Sequence, residues 1–290
     1  MKTFPFIKMH GLGNDYVYID CFPKTTAQFI AKTDLAALAR AISNRHFGIG
    51  SDGLVLMMPA KEADAKMRIF NADGSEAQMC GNAIRCVGKY LYESGLCRNT
   101  RVFIETLAGL RTLSLDIKGR SVMSVTVNMG VPEVRSDMLM RGSDPIGFTA
   151  VNIGNPHAVF FRETVFTDEQ VADLGKRVGT HPHFPEGTNV EFVRVRNLSE
   201  LDIRVWERGS GVTLACRTGA CASAVAAIFH DLTERNVTVH LPGGDLIIQW
   251  KGNTSPVFMT GPATEVFRGE WGLKESTKDE VQCTKEFKNE

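Results

Sequence analysis

Hydrophobic and polar positions alternate or recur at helical spacing along most of the chain, and they predict two similar series of elements. The first series consists of strands at 6–10, 16–19, 53–58, 67–70, 102–106, 110–117 and 122–127, and helices at 33–46, capped by Thr33, and 81–93. The second consists of strands at 150–153, 158–161, 190–196, 201–207, 237–241, 246–250 and 257–260, and helices at 168–178 and 219–230. We therefore expect an α+β fold with two pseudo-symmetric domains, each an antiparallel, β-barrel-like sheet wrapped around a central helix.

Short landmarks recur in the two halves in the same order. The His-Phe and Gly-Ser-Asp segments at 46–47 and 50–52 recur as His-Phe and Gly-Thr-Asn at 183–184 and 187–189. Gly13-Asn14 recurs as Gly154-Asn155 at an offset of 141 residues, and Cys80 recurs as Cys216 at an offset of 136. Preserved order with slowly drifting spacing indicates a duplicated domain with different loop lengths, and chance recurrence of Gly-rich turns is the alternative.

The duplication predicts where the domains begin and end. An N-terminal domain at 1–127 carries Cys80, and a C-terminal domain at 128–263 carries Cys216. The segment 264–277 is expected to return to the N-terminal domain. Residues 278–290 are rich in Lys, Asp and Glu, so we expect them to form a polar tail.

Composition favours a small-molecule partner. The chain has 290 residues, of which 43% are hydrophobic, and its 33 Lys and Arg balance its 33 Asp and Glu. No net field would therefore attract nucleic acid or an anionic membrane. The N-terminus lacks the apolar core of a signal peptide, and no later run is long enough for a membrane span, so a cytoplasmic location is expected.

The cysteines are expected to be thiols and not disulfides or metal ligands. Their number, seven, is odd, and their spacings do not resemble the framework of a secreted disulfide-rich domain. The five residues between Cys80 and Cys86 exceed the spacing of a zinc knuckle, and the four between Cys216 and Cys221 are at its upper limit, so no metal is expected.

Cys80 and Cys216 each lie at or just before the N-terminus of a predicted helix. The free amides and the positive end of the helix dipole at such a position bind anions and stabilise a thiolate. If the duplication brings both cysteines to one interface, a carboxylate would be held between two sulfurs. One thiolate could then remove a proton from an α-carbon while the opposite thiol delivers one, which inverts that carbon; the pair would share a single proton.

The chain resembles the diaminopimelate epimerase family through motifs that extend to about residue 270. These motifs are Met9-His10-Gly11-Leu12-Gly13-Asn14-Asp15, Gly48-Ile49-Gly50, Asn71-Ala72-Asp73-Gly74-Ser75, Cys80-Gly81-Asn82, Asn128-Met129-Gly130, Gly154-Asn155-Pro156-His157, Glu207-Arg208-Gly209, Ala215-Cys216, Leu241-Pro242-Gly243-Gly244 and Met259-Thr260-Gly261. The resemblance implies a homodimeric isomerase that interconverts LL- and meso-diaminopimelate in lysine and peptidoglycan precursor biosynthesis. It also implies that no cofactor, and in particular no pyridoxal phosphate, takes part.

The resemblance also implies roles for individual residues. Cys80 and Cys216 would be the acid/base pair, and His157 and Glu207 would lie beside the thiols and tune them. The amides of Gly81-Asn82 and Arg217-Thr218 would hold the reacting carboxylate. The substrate's other polar groups would be bound by Asn14, Asn71, Asn155, Asn189 and Arg208, with Glu207 facing an ammonium group.

Several of these residues have a structural alternative. Asn14 and Asn155 are also good turn formers, and His157 could serve only as a buried hydrogen-bonding group. His10 and His46 are expected to be structural. The remaining cysteines are expected to be inert small apolar residues: Cys21, Cys86, Cys97, Cys221 and Cys283.

The sequence departs from the family pattern at Arg217, where the family usually has Gly, and more mildly at Ala83. A side chain at a position where backbone approaches a ligand could point outward, alter the choice of substrate or damage activity. A racemase or epimerase of another amino acid on the same scaffold, or a non-catalytic ligand-binding relative, therefore remains as an alternative. Asn71, Asn189 and Arg208 favour diaminopimelate, because a substrate without a distal amino-acid group would not need them.

Mild oxidation should inactivate the enzyme reversibly, because two reactive thiols that flank one carbon can join when the empty cleft relaxes. Treatment with diamide should abolish activity, and a thiol reductant should restore it. Mass mapping should find Cys80 linked to Cys216. Full activity in diamide would contradict the expectation.

Overall fold

The computed structural model describes residues 2–141 and 144–273, and the elements of its first half follow the predicted series closely. These elements are β1 (Lys2–Gly11), β2 (Asn14–Asp20), α1 (Lys24–Ile30), α2 (Leu35–Ser43), β3 (Gly53–Met58), β4 (Ala65–Asn71), β5 (Glu76–Ala77), α3 (Gly81–Glu93), β6 (Arg101–Thr106), β7 (Gly109–Lys118) and β8 (Ser121–Gly130). The helix predicted at 81–93 is therefore confirmed at both ends.

The second half repeats this order without a counterpart of α1 and with one additional strand at each end. Its elements are β9 (Glu133–Arg141), β10 (Asp144–Asn152), β11 (Pro156–Phe161), α4 (Asp168–Gly179), β12 (Asn189–Asn197), β13 (Glu200–Glu207), β14 (Gly211–Thr213), α5 (Arg217–Phe229), β15 (Asn236–Leu241), β16 (Gly244–Trp250), β17 (Val257–Gly261) and β18 (Thr264–Leu273). The central helix of this half begins at Arg217, two residues before the predicted start.

Strand pairing is the same in the two halves. In the first, β1–β2, β3–β4, β6–β7 and β7–β8 are antiparallel, and β2–β3 and β4–β6 are parallel. In the second, β10–β11, β12–β13, β15–β16 and β16–β17 are antiparallel, and β11–β12 and β13–β15 are parallel. The predicted α+β fold with two pseudo-symmetric sheets is confirmed, and each sheet includes two parallel pairings among the antiparallel ones.

The two halves are joined through their sheets. β17 of the second half pairs antiparallel with β8 of the first, from Val257 opposite Gly130 to Gly261 opposite Val125. The last strand, β18, pairs with β1, just as β9 pairs with β10. The described part of the C-terminal segment is thus a strand of the first half, whereas the predicted tail at 278–290 lies outside the described residues.

Each sheet wraps around one buried helix. Residues 81–88 of α3 and 219–228 of α5 are all buried, and both helices belong to one apolar cluster that includes residues of both sheets. The run Ala220 to Ala227 contains small side chains, which allows strands to approach α5 closely. The cores of the two halves are therefore continuous through these central helices.

The outer helices explain why several strands are apolar on both faces. In β3, Val55 and Met57 pack into the central cluster, while Leu54 and Leu56 pack with α2. α4 covers the corresponding outer face of the second sheet in a cluster that contains Phe160 and Phe192. Alternating side chains thus face a central and an outer helix, and such strands appear as uninterrupted apolar runs.

Two local predictions were wrong or incomplete. The side chain of Asp34, and not that of Thr33, caps α2 by accepting from the Ala37 amide at 3.1 Å. Thr33 instead donates to the Phe29 carbonyl at 2.9 Å, beyond the end of α1, a helix that the sequence pattern did not predict. Aspartate is a stronger N-cap than threonine, which is consistent with the shift by one residue.

No helix in the described ranges has both the length and the apolar composition needed to cross a bilayer. Within the same ranges, no three His, Cys, Asp or Glu side chains are grouped as metal ligands.

The buried core thiols should make the protein less stable at alkaline pH. Burial raises the pKa of Cys86 to about 11 and that of Cys221 to about 12, from an ordinary value of 9.0. Stability from the protonated thiol is complete below pH 9 and is lost as the pH rises towards the folded-state pKa; at pH 10 the loss is about 1.4 kcal/mol per thiol. Urea unfolding of wild type and Cys221→Ala at pH 8 and 10 should show a smaller decrease for the variant. Equal decreases would contradict this.

Candidate active site

Cys80 and Cys216 are the N-cap residues of the two central helices. Each has an extended backbone, with φ of −134° at Cys80 and −101° at Cys216, and the next residue begins a helix of 13 residues. Their side chains are only 5% and 3% exposed. Both nevertheless line one cleft of about 1460 Å³, formed by residues of the two halves. The duplication therefore places two thiols at equivalent helix N-termini on one shared cavity.

The sulfur of Cys80 lies among hydrogen-bonding groups from two segments, β2 and the N-terminus of α5. It is 3.5 Å from Asn14 Oδ1, to which a thiol can donate, and it accepts from Arg217 Nη1 at 3.0 Å. Asn14 is held by its own amide, which donates to Asp52 at 2.8 Å. Tyr16 also lines the cleft, and burial, followed by the charge of Cys80, raises the pKa of its phenol far above the ordinary value.

The sulfur of Cys216 has a different environment. It accepts from the Gly219 amide at 3.4 Å and lies 3.6 Å from Thr218 Oγ1. In the hydrogen bond with Thr218, either the thiol or the hydroxyl can be the donor. Burial, followed by the carboxylates of Glu207 and Glu191, raises the pKa of the Cys216 thiol well above its ordinary value. Near neutral pH, Cys216 is therefore expected to be protonated in the free enzyme.

Arg217 extends from the N-terminus of α5 across the cleft to the N-terminus of α3. Besides its bond to Cys80, it donates through Nη2 to the Met79 carbonyl at 3.4 Å, and its stem lies against the Cα of Gly81. Its Nε is buried and has no hydrogen-bond partner among the described residues. Burial disfavours its charge, but the neighbouring ionisable groups, Cys80 first and Glu207 among them, together outweigh burial, so the pKa of Arg217 is raised.

A chain of hydrogen bonds leads from the core to Cys216. Glu191 Oε1 and His157 Nδ1 are 2.7 Å apart with both side chains fully buried, and His157 Nε2 lies 3.1 Å from Asn155 Oδ1. Asn155 in turn donates to Thr218 Oγ1 at 3.4 Å, which contacts Cys216. Burial raises the pKa of Glu191, an effect that His157 opposes. This chain fixes the side chains beside the second thiol.

The structure brings most of the predicted site residues to the cleft. Those that line it are Asn14, Asn71, Cys80, Asn82, Asn155, Glu207, Arg208, Cys216, Arg217 and Thr218. Gly81 is covered by Arg217, and His157 lies behind Asn155. Asn189 is 4% exposed, and its amide donates to the Pro156 carbonyl while its oxygen accepts from the Arg208 amide, so in this structure it supports the loop that carries Arg208.

Three residues near the thiols were not predicted: Tyr16, Glu191 and Arg85. Tyr16 could have been found, because it is the counterpart of His157 at the same 141-residue offset that relates Asn14 to Asn155. A carboxylate within the apolar run of β12 was a weaker signal for Glu191. Arg85 is fully buried in α3 and donates to Asn82 Oδ1 at 2.9 Å and to the Pro262 carbonyl at 3.1 Å. Burial lowers the pKa of Arg85 to about 10.

Comparison with known proteins decides the family. The family model for diaminopimelate epimerase matches residues 6–134 and 149–266. A relative described as diaminopimelate epimerase in Desulfitobacterium hafniense is 49% identical over 91% of this chain and 96% of its own length. Another, in Acetivibrio thermocellus, is 48% identical over 93% of this chain and 99% of its own. The chain belongs to the diaminopimelate epimerase family. The predicted family, and with it the assignment as an isomerase, is confirmed.

Solved structures share the fold at much lower identity. A probable proline racemase from Agrobacterium radiobacter is 17% identical with a TM-score of 0.67, and the match covers 93% of both chains. A hydroxyproline epimerase from Agrobacterium vitis is 18% identical with a TM-score of 0.64, over 92% of both chains. At these identities the likeness establishes the fold alone.

The buried pair of Glu191 and His157 should be strongly coupled. Removing one member of a buried hydrogen-bonded pair costs about 1–3 kcal/mol, because the other is left without a partner. In a double-mutant cycle of Glu191→Gln and His157→Asn, the double variant should lose at least ~1 kcal/mol less stability than the sum of the singles. The measurement is the urea-derived free energy of unfolding.

A matched control is the Arg68–Glu76 pair, which has the same 2.7 Å separation but partly exposed side chains. Its coupling should be below about 1 kcal/mol. Additive losses for Glu191 and His157 would show that the buried pair is not a unit.

Proposed function

We propose that this chain interconverts LL- and meso-diaminopimelate without a cofactor, with Cys80 and Cys216 as the two proton-transferring groups. The observation that supports this most is the pair of N-cap thiols that face one cleft in a member of this family. We include in the proposal a role in lysine and peptidoglycan precursor biosynthesis and a cytoplasmic location.

The two helix N-termini provide the site for the reacting carboxylate. The amides of Gly81 and Asn82 on α3, and of Arg217 and Thr218 on α5, lie in the first turns, where amides lack intrahelical acceptors. A carboxylate bound there would be stabilised by both helix dipoles. It would also place the attached α-carbon between the two sulfurs.

Inversion then takes two proton transfers. One cysteine, as the thiolate, takes the α-proton and becomes a thiol, while the opposite thiol gives its proton to the other face and becomes a thiolate. The carboxylate held at the helix ends accommodates the negative charge that develops on the substrate. One proton leaves the substrate and one enters it, so the enzyme ends with the same number of protons on the opposite sulfur.

Each sulfur has partners for both of its protonation states. As a thiol, Cys80 can donate to Asn14 Oδ1; as a thiolate, it accepts from Arg217, and Asn14 Oδ1 keeps Asn82 Nδ2 as a donor at 3.3 Å. Cys216 can donate to Thr218 as a thiol and accept from the Gly219 amide as a thiolate. Neither state leaves a sulfur without a hydrogen-bond partner, as a reversible reaction requires.

The cleft also suits a substrate with two amino-acid ends. Besides the helix termini, it contains charged side chains of both signs, among them Arg45, Asp52, Glu207 and Arg208. Glu207 is oriented by Thr213, which donates to it at 2.5 Å, and can face an ammonium group. Arg208 is exposed and can face a carboxylate. A small amino acid with one zwitterionic end would leave these charges unused, which favours diaminopimelate over the alternative substrates.

We also propose that the protein is a homodimer. Ile247 of β16 and Phe258 of β17 are diagonal neighbours in the strand register and are 43% and 37% exposed. An exposed apolar surface on a sheet face is suited to association with a second copy.

Deuterium incorporation tests the proposed reaction. In D₂O, the wild type should form meso-diaminopimelate from the LL isomer and incorporate deuterium at the inverted carbon. Cys80→Ala and Cys216→Ala should each lower the rate of inversion by ~10²–10⁴, because each removes one of the two proton-transferring groups. Cys221→Ala is a matched control, since Cys221 is buried on α5 only five residues after Cys216 and does not line the cleft.

The result would identify the alternatives as well. Exchange with another amino acid but not with diaminopimelate would indicate a racemase of different specificity. Binding of diaminopimelate with no exchange would indicate a non-catalytic relative. Equal rates in wild type and Cys216→Ala would rule out the two-thiol mechanism.

A further inference from the structure

We propose that Arg217 determines which of the two sulfurs carries the negative charge in the free enzyme: its guanidinium holds Cys80 as the thiolate, and the proton of the pair resides on Cys216. This inference rests on the proposed function, because it takes the two cysteines as the acid/base pair. It adds a residue whose side chain acts on a reacting atom and so sets the starting state of the reaction.

The hydrogen bonds of Arg217 favour a thiolate at Cys80. Nη1 donates to Cys80 Sγ at 3.0 Å, and Nη2 donates to the carbonyl of the preceding Met79 at 3.4 Å. Through these two bonds, a residue of α5 in the second half holds the segment that precedes α3 in the first half. An N–H group of a cation stabilises an ionised acceptor more than a neutral one, so the contact favours the thiolate over the thiol.

The absence of a carboxylate beside this cation, among the residues that the structure describes, also favours a thiolate at Cys80. Arg217 makes no ion pair with an Asp or Glu in the described part of the chain, and its Nε has no acceptor there. A buried cation without a counter-ion is costly. Cys80 is the acceptor within hydrogen-bond distance that can ionise, so a thiolate at Cys80 removes most of that cost.

The groups around the two sulfurs differ in charge. Those close enough to affect Cys80 are Tyr16, Tyr18, Arg85, Cys86 and Arg217, with Asp52 beyond Tyr16. Those close enough to affect Cys216 are Glu191, Glu207 and Arg217. Cations therefore predominate near the first sulfur and carboxylates near the second. Both environments shift the single proton in the same direction, towards Cys216.

Gly81 is what allows this arrangement. Gly81 and Arg217 are equivalent positions, each directly after a catalytic cysteine, and the Arg217 stem occupies the place that a side chain at 81 would need. A Cβ on Gly81 would lie 2.6 Å from Arg217 Cδ and 2.7 Å from Nε. Only one of these two facing positions can carry a large side chain. The site is therefore asymmetric: the large side chain follows Cys216 and reaches Cys80, and the residue after Cys80 stays small.

The Nε–H of Arg217, which has no acceptor among the described residues, is available to the substrate. It lies against Gly81, at the helix end where the reacting carboxylate is expected. A carboxylate bound there would receive a donor from a cation in addition to the helix amides. Arg217 would thus contact both the thiolate and the substrate.

Alkylation in the absence of substrate tests the proton distribution. Each thiol is followed separately between pH 6 and 10 by its rate of modification with iodoacetamide, measured by mass spectrometry of its peptide. Each profile is compared with its own highest rate in this range, which removes the effect of unequal access, and a rate that is still rising at pH 10 places the half-point of that thiol above that of one whose rate has levelled off. Cys80 should reach half of its highest rate at a pH at least ~1 unit below that for Cys216, because the thiolate is the reactive form.

Substitution of Arg217 should remove this difference. In Arg217→Met, the alkylation rate of Cys80 at pH 7 should fall ~10-fold, as expected for the loss of one charge-assisted hydrogen bond. Arg217→Lys should restore part of it, since the positive charge is kept. Arg208→Met is the matched control: Arg208 lines the same cleft, but its guanidinium donates to the Glu186 carbonyl. This control should lose affinity for diaminopimelate and keep the wild-type alkylation profiles.

The outcomes separate this inference from the proposed function. If Cys216 titrates at or below the pH of Cys80 in the wild type, or if folded Arg217→Met keeps the wild-type profile, the inference is overturned. Circular dichroism shows whether Arg217→Met is folded. If it is not, the order in which Cys80 and Cys216 titrate in the wild type decides whether the inference stands. Alkylation needs no diaminopimelate, so a failed deuterium experiment with intact profiles would remove the proposed substrate and leave the proton distribution standing.

Discussion

In the proposed reaction, two thiols that face one carbon must differ in protonation, because a base and an acid are needed at once and the ionisation of either sulfur disfavours that of the other. The protein combines a symmetric scaffold with asymmetric charges to meet this constraint. The scaffold gives Cys80 and Cys216 the same position, as N-caps of 13-residue helices on one cleft. The side chains around them then make the two positions chemically unequal.

The symmetric part depends on packing. The central helices can lie inside the sheets because their buried faces consist mostly of small or apolar residues, with Arg85 of α3 as a buried cation among them, and because outer helices cover the opposite faces of the same strands. The strand registers of the two halves correspond, with Tyr16 opposite Gly53 and His157 opposite Asn189. Tyr16 and His157 therefore reach the region of the site from equivalent positions. The geometry of the cleft is thus fixed by the core, and the chemistry can vary at the few positions that face the sulfurs.

Features that are local or repeated could be predicted from the sequence, whereas those that depend on contacts between distant segments could not. The cysteine-led helices, the strand series and the family could be predicted because each depends on short motifs or on periodicity. Glu191 and Arg85 could not, since their partners are His157, 34 residues away, and Pro262, 177 residues away. The parallel pairings of β2 with β3 and of β11 with β12 are equally non-local. The N-cap of α2 was misplaced by one residue because both Thr33 and Asp34 are suitable caps.

Arg217 shows why a departure from a family pattern has to be judged at its partner position. Judged alone, a large cation in place of glycine beside a reacting carboxylate suggests a damaged site. In the structure, its side chain lies over Gly81, the equivalent residue of the other half, and reaches the opposite sulfur. Equivalent positions in a duplicated site can face each other, so one of them can gain a side chain only while the other stays small. A duplicated enzyme can therefore become electrostatically asymmetric by one substitution without losing the symmetric backbone that its chemistry needs.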